Sequence, residues 1–410
     1  MKLKDRKAFE IFKYLGPGFL ITVGFIDPGN WAANIAAGSD FGYNLLWLIT
    51  LSTVMLIILQ HNAAHLGIVT GLCLSEASKK YFNKYVGSAF LISAVAAGVS
   101  TALAEILGAA IGLNMLFGLP VSVGTPLTVL FVFGMVFTNT YRKLEKWIIA
   151  FVSLIGIAFI FELFLVDVNW KSAIYYSFTP SLPVGSMLIV MSVIGSVVMP
   201  HNIFLHSEII QSRHWNLKSK EIIKRQLKYE FTDTLTSMFV GFLINAAMII
   251  VAASVFKERG IHVTELQQAQ NVLKPLLGTK AAIVFALALL LAGLSSTITA
   301  AMAGGSMFAG IFGKPLDTSD KYSRTGIAIT VIFAAVIIYF LKDPFQGIIV
   351  SQIALSIQLP LTMVFLIFLT SSKHVMGEHA NSGLEKVFLW IITVIVLIFN
   401  IMLVIETFKT

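Results

Sequence analysis

The chain alternates long apolar runs with short polar segments. A bilayer core of roughly 30 Å requires about 20 apolar residues in a helix, and eleven stretches of the sequence reach that length. They cover residues 11–37, 43–66, 87–117, 121–139, 145–165, 184–206, 229–256, 280–311, 324–341, 344–371 and 384–408. A membrane barrel would show shorter segments of alternating polarity. The pattern therefore predicts an all-α integral membrane protein with eleven transmembrane helices.

The composition also indicates a membrane protein, since 57% of the 410 residues are hydrophobic and only 12% are charged. Connections between the runs are short, and no low-complexity linker divides the chain. We expect a single transmembrane domain over residues 1–410, present as a monomer. One cysteine, Cys73, excludes an intramolecular disulfide.

The basic surplus, 29 Lys and Arg against 21 Asp and Glu, follows the membrane topology. With the N-terminus inside, 22 of the basic residues fall on the inner side and 7 on the outer side. This distribution matches the positive-inside rule, so the charge gives no reason to expect a nucleic-acid partner. The sequence predicts a multi-pass protein of the cell membrane with a cytoplasmic N-terminus and an external C-terminus.

Two apolar stretches are interrupted at equivalent places. The first carries "DPGN" at 27–30 and the sixth carries "MPHN" at 199–202. Paired broken segments indicate an inverted-repeat transporter with its binding site at the breaks, whereas ordinary proline kinks are the alternative. The repeats would cover about 11–165 and 184–371, with an extra helix at 384–408.

The side chains at the breaks suit a cation. Asp27 supplies a carboxylate and Asn30 an amide oxygen one helical turn later, and both are hard ligands. Met199 adds a soft thioether, which favours later divalent metals over Mg²⁺ or Ca²⁺. Methionine in a membrane helix more often serves packing, so its interpretation as a ligand depends on the other two residues.

Two further polar residues lie at membrane depth. Glu105 is the only carboxylate of the third span, and a carboxyl group there is either a proton carrier or the partner of a cation. His201 follows Pro200 in the sixth span and is suited to proton handling, with hydrogen bonding to a neighbouring helix as an equal alternative. His206 fits the second role better.

The two broken motifs resemble those of the Nramp (natural resistance-associated macrophage protein) family of divalent metal transporters. The resemblance extends over about residues 15–371. It continues through "GYNLLWLITLSTVM" from Gly42, "LGIVTG" from Leu66, "AIGLNMLFGLP" from Ala110, "INAAMIIVAA" from Ile244, "LSSTIT" from Leu294 and "SQIALSIQLP" from Ser351.

The resemblance implies a LeuT-like 5+5 inverted-repeat fold with broken first and sixth helices, and uptake of Mn²⁺ or Fe²⁺, commonly with protons. The metal is cargo, and no resident cofactor is expected. Residues at the family's metal-ligand positions are Asp27, Asn30, Met199, Gln352 and, through their backbone carbonyls, Gly24 and Ser196. Residues at its proton-pathway positions are Glu105 and His201.

The sequence also departs from the family. Ala102 and Val95 stand where the third span usually has acidic residues, and only Lys321 and Arg324 are available for the arginine pair of the ninth. Ser196 replaces an alanine beside the metal. These departures predict changed selectivity or weakened proton coupling.

The leading hypothesis is import of a divalent transition-metal ion, with Mn²⁺ first and Fe²⁺ second, by alternating access around the broken helices. An uncoupled transporter of Mg²⁺ or another divalent cation is the nearest alternative, although the retained Met199 argues against Mg²⁺. A sodium-coupled organic-solute symporter would share the broken helices. A metalloprotease is not expected, because the chain has no H-E-x-x-H motif.

Overall fold

A computed structural model describes residues 27–138, 163–212 and 219–407, with the side chains of 269–282 and 284 excluded. Within these ranges the chain forms helices and turns. The helices are α1 (Pro28–Phe41), α2 (Leu46–Thr70), α3 (Leu74–Tyr81), α4 (Lys84–Phe117), α5 (Val121–Thr138), α6 (Trp170–Phe178), α7 (Met187–Val197), α8 (Pro200–Gln211), α9 (Lys220–Val255), α10 (Leu266–Ile311), α11 (Lys321–Ile338), α12 (Pro344–Ser371), α13 (Lys373–Met376) and α14 (Gly383–Thr407). Short 3₁₀ turns occupy Gly42–Leu45, Lys257–Arg259 and Gly377–His379.

Nine segments of the described ranges are long and apolar enough to cross a membrane. The predicted spans from the second to the fourth and from the sixth to the eleventh coincide with helices there. The first predicted span enters the described residues only at its C-terminal end, as α1, and the fifth lies outside them except for residues 163–165. Two helices begin earlier than predicted. α9 begins nine residues before the predicted start at 229, and α10 begins fourteen residues before the predicted start at 280.

Proline position distinguishes a helix start from a tolerated kink. Pro28 and Pro200 are the first residues of α1 and α8, where a missing N–H costs nothing because no helical partner is available to it. Pro126 and Pro360 instead lie inside α5 and α12, and both helices continue through them. The first pair of prolines therefore marks helix starts, and at Pro200, where the chain on both sides is described, the start follows a break as predicted.

The two breaks lie inside the helical bundle. α7 ends at Val197, Val198 and Met199 adopt non-helical backbone angles, and α8 begins at Pro200. Long helices surround these half-helices: α4 packs along α10, α9 packs against α1 and α2, and α12 contacts α4 and α7. Because the breaks are enclosed by apolar helices, their polar groups are buried.

Candidate functional site

Asp27 caps α1 at the first break. Its Oδ1 accepts hydrogen bonds from the Asn30 backbone N–H at 2.6 Å and from Asn30 Nδ2 at 3.0 Å. The carboxyl group is fully buried, and Oδ2 has no hydrogen-bond partner within the described part of the chain. Gly29 and Asn30 are already helical, because α1 begins at Pro28.

Asn30 joins the two breaks. Its Nδ2 donates to the Ser196 carbonyl oxygen at 2.8 Å, where α7 ends. Asn30 Oδ1 is buried without a hydrogen-bond partner among the described residues. The Ser196 hydroxyl donates to the Val193 carbonyl at 3.0 Å. The serine that replaces the family's alanine thus presents its backbone, rather than its hydroxyl, to Asn30.

Met199 occupies the second break as the N-cap residue of α8 and is fully buried. Its Sδ accepts a weak hydrogen bond from Asn202 Nδ2 at 3.5 Å. The Asn202 Oδ1 is also buried without a partner in the described ranges. Asn202 is the last residue of the "MPHN" motif, and it was not among the predicted functional residues.

Gln352 reaches the site from α12. It is fully buried, donates from Nε2 to Ser351 Oγ at 3.2 Å, and leaves Oε1 without a partner in the described chain. A methyl group at Gly29 would lie 2.3 Å from Gln352 Nε2, and one at Gly195 would lie 1.9 Å from the Gln352 carbonyl oxygen. These two glycines allow α12 to approach both broken helices. The sequence did not predict this function for them.

The resulting cluster is suited to a cation. Buried polar atoms are normally hydrogen-bonded because an unmade bond is costly, yet oxygens of Asp27, Asn30 and Gln352 lack partners within the described residues. The Met199 sulfur lies at the same junction of half-helices. Among the described residues no group of three His, Cys, Asp or Glu side chains could hold a metal. A metal here would therefore depend on one carboxylate, amide oxygens, a carbonyl and a thioether.

Glu105 and His201 occupy the α4 side of this cluster. Glu105 is fully buried, and its carboxyl group lies beside that of Asp27, with no other hydrogen-bond partner within the described ranges. His201 is bonded through Nδ1 to Thr101 Oγ1 at 3.0 Å. Glu105 thus extends from α4 and His201 contacts α4 from α8, although the contact with Thr101 also fits the packing alternative.

The remaining predicted residues are Gly24, His206, Lys321 and Arg324. Gly24 lies outside the described residues. His206 is bonded through Nδ1 to Gln60 Oε1 on α2 at 2.7 Å, which agrees with its expected role as a helix-to-helix contact. Lys321 and Arg324 are exposed in the first turn of α11. The Arg324 Nε donates to the Thr318 carbonyl at 2.8 Å, so this side chain binds the adjacent loop.

Broken helices around a buried polar site define a class of membrane transporter, and comparison with known proteins identifies the family. Residues 18–406 match the family described as "Natural resistance-associated macrophage protein-like". The chain is 38% identical over 404 residues to a divalent metal cation transporter MntH of Caldanaerobacter subterraneus subsp. tengcongensis, covering 98% of this chain and 94% of the relative. It is also 38% identical to a natural resistance-associated macrophage protein 2 homolog of Dictyostelium discoideum, covering 92% and 61% of the two chains.

Solved structures agree with this assignment. A manganese transporter of Eremococcus coleocola superimposes with a TM-score of 0.83 at 28% identity, covering 96% of this chain and 86% of that one. Mhp1, a nucleobase-cation-symport-1 family transporter, matches with a TM-score of 0.63 at 14% identity over 96% and 92% of the two chains, a likeness of fold alone. The chain belongs to the Nramp family. It is a multi-pass membrane protein with the predicted LeuT-like fold.

Proposed function

We propose that this protein imports divalent transition-metal cations, with Mn²⁺ as the first candidate and Fe²⁺ as the second. The observation that carries the proposal is the hydrogen bond from Asn30 to the Ser196 carbonyl, which brings the first break to the break that contains Met199, together with the unpartnered buried oxygens of Asp27 and Asn30 in the described ranges. The relatives named as divalent metal cation transporters and the manganese transporter of similar structure support the same substrate class.

The donor set supports a transition metal over Mg²⁺. Mg²⁺ requires near-ideal octahedral oxygen coordination and retains its waters, whereas Mn²⁺ and Fe²⁺ accept mixed oxygen, nitrogen and sulfur ligands. A thioether contributes little to Mg²⁺ binding. In the proposed site Asp27 supplies the charge, Asn30, Gln352 and the Ser196 and Gly24 carbonyls supply neutral oxygens, and Met199 supplies selectivity.

Alternating access is the proposed mechanism. Asp27, Asn30, Met199 and Gln352 are all fully buried, so a bound ion needs a rearrangement to reach either surface. The breaks beside Pro28 and Pro200 allow each half-helix to reorient without melting a continuous helix. Proton coupling is proposed to be weak, because Ala102 and Val95 are apolar on the helix that carries Glu105.

Reconstitution in liposomes tests the proposal. Trapped indicators would follow Mn²⁺ and Mg²⁺ entry separately while a pH probe records the interior. We expect saturable Mn²⁺ entry that exceeds Mg²⁺ entry at equal concentration. Equal entry of the two metals would favour the Mg²⁺ alternative, and sodium-dependent organic-solute uptake without metal entry would favour a symporter.

A further inference from the structure

Glu208 is a further buried carboxyl group, and the metal site does not use it. It lies in the last turn of α8, nine residues beyond Met199, or roughly 13 Å along the helix. Its side chain accepts hydrogen bonds from Ser306 Oγ of α10 at 2.5 Å and from the Leu316 N–H at 3.1 Å, in the loop after α10. Burying a carboxyl group costs free energy unless hydrogen bonds or opposite charges stabilise it, so a buried carboxyl group in a membrane protein is a functional candidate.

Neighbouring side chains fasten the same end of α8 to other elements. Ser207 Oγ accepts a hydrogen bond from the Leu74 N–H, at the start of α3, at 2.9 Å. Gln211 Nε2 donates to the Gly71 carbonyl at 3.0 Å and also to the Glu76 carboxyl group. The final turns of α8 are therefore bonded to α3, to the turn before it and to the α10 side.

The two helices that bind the end of α8, α3 and α10, also pack against each other. Gly310 of α10 contacts Ser75 of α3 so closely that a methyl group there would lie 2.4 Å from Ser75 Cβ. Ser75 Oγ also lies 3.4 Å from Ser306 Oγ. Because α3 and α10 are packed together, releasing Glu208 and its neighbours would free the end of α8 from both at once.

We propose that Glu208 is a latch that holds the end of α8 against α3 and α10, and that metal transport requires its release. The proposal rests on the transport function proposed above. The break at Val198 and Met199 separates α8 from α7, so α8 is able to tilt as a unit. The charge distribution predicts that this end of the bundle is on the inner side, so a closed latch would hold α8 between the metal site and that side.

The single cysteine of the chain reports on the latch. Cys73 is the N-cap residue of α3 and is fully buried. Burial, followed by the nearby carboxylates of Glu208 and Glu76, raises the pKa of its thiol well above the usual value. Since the thiolate is the reactive form, Cys73 should react slowly with a maleimide while the latch is closed.

The test measures maleimide labelling of purified protein in detergent without metal. Ser306→Ala keeps the Glu208 carboxyl group and removes one of its donors, so an acceleration in this variant is not caused by the loss of the Glu208 charge. We expect labelling about fivefold faster in Ser306→Ala and about tenfold or more in Glu208→Ala, the order associated with losing hydrogen bonds to a carboxylate. Glu378→Gln is the control, because Glu378 is exposed and bonded to Lys220.

Two results would overturn the latch. One is a wild-type labelling rate in Ser306→Ala, even if Glu208→Ala reacts faster through its altered charge. The other is a concentration dependence of Mn²⁺ uptake that is the same in Ser306→Ala as in the wild type. An open latch should raise the external Mn²⁺ concentration needed for half-maximal uptake. If Glu208→Ala does not fold, Ser306→Ala decides alone. Failure of the wild type to take up Mn²⁺ would instead reject the proposed function, whatever the labelling rates.

Discussion

At the scale of single residues, the site depends on a few polar atoms whose usual partners are missing. The two carboxyl oxygens of Asp27 have different functions: Oδ1 caps α1, and Oδ2, which has no partner in the described ranges, is the proposed metal ligand. These functions are separable, because asparagine also caps helices well. A substitution that keeps the cap therefore tests the ligand.

We predict that Asp27→Asn reduces Mn²⁺ uptake in liposomes to the level of protein-free vesicles while the protein stays monodisperse. Asn30→Ala should do the same, since it removes a proposed ligand and the bond to Ser196. Asp343→Asn is a matched control, because Asp343 caps α12 directly before Pro344 and is exposed. Normal uptake by Asp27→Asn would remove Asp27 from the site.

Met199 is the residue expected to set selectivity. We predict that Met199→Leu, which keeps most of the buried volume, lowers the affinity for Cd²⁺ and Mn²⁺ relative to Ca²⁺ by about tenfold or more, equivalent to about 1.4 kcal/mol. Calorimetric titration with each ion measures the ratio. Met191→Leu, at another fully buried methionine, should leave it unchanged. A ratio that does not differ between wild type and Met199→Leu would make Met199 a packing residue.

At the scale of elements, close approach of helices decides whether the site assembles. Gly195 of α7 faces the backbone of α12, whereas Gly29 of α1 faces only the movable end of the Gln352 side chain. Backbone atoms cannot move aside as a side chain can. The two glycines should therefore respond differently to the same added methyl group.

We predict that Gly195→Ala lowers the apparent thermal midpoint in detergent by several degrees, because overpacking of a tight contact costs about 1–3 kcal/mol. Gly29→Ala should leave the midpoint nearly unchanged and weaken Mn²⁺ binding by displacing Gln352. Gly134→Ala is the control, since a methyl group there meets open space. Equal thermal shifts for Gly195→Ala and Gly134→Ala would contradict the proposed contact.

At the scale of the whole molecule, proton coupling needs a continuous set of carriers between the metal site and one surface. Glu105 lies beside Asp27 and can begin such a set. Further along α4, Ala102 and Val95 are buried and apolar. The basic residues Lys321 and Arg324 are exposed in the first turn of α11 rather than buried.

We predict that Mn²⁺ uptake persists without an imposed pH gradient and acidifies the liposome interior only slightly. The reason is that protons leaving Asp27 and Glu105 find no other acidic residue along α4. A trapped pH dye recorded together with Mn²⁺ entry provides the measurement. Acidification that follows Mn²⁺ entry closely and disappears in Glu105→Gln would show that the remaining carriers suffice.

The sequence alone was sufficient for the features that depend on the solvent and on local chain chemistry. A bilayer leaves backbone groups no partner except within a helix, so apolar length predicted the spans in the described ranges. Helix starts at Pro28 and Pro200 followed from proline's missing N–H. Asp27, Asn30 and Met199 stood out because polar or soft donors accompany both breaks.

Only the tertiary structure decided which groups meet. Asn30 reaches the Ser196 carbonyl across 166 positions of sequence, and Gln352 reaches the breaks because Gly29 and Gly195 leave room for it. The bond from Glu208 to Ser306 likewise joins residues that no local pattern relates. Helical periodicity determines the face that a side chain occupies on its own helix. Contacts between helices depend on how their surfaces pack, and that is a property of the assembled bundle.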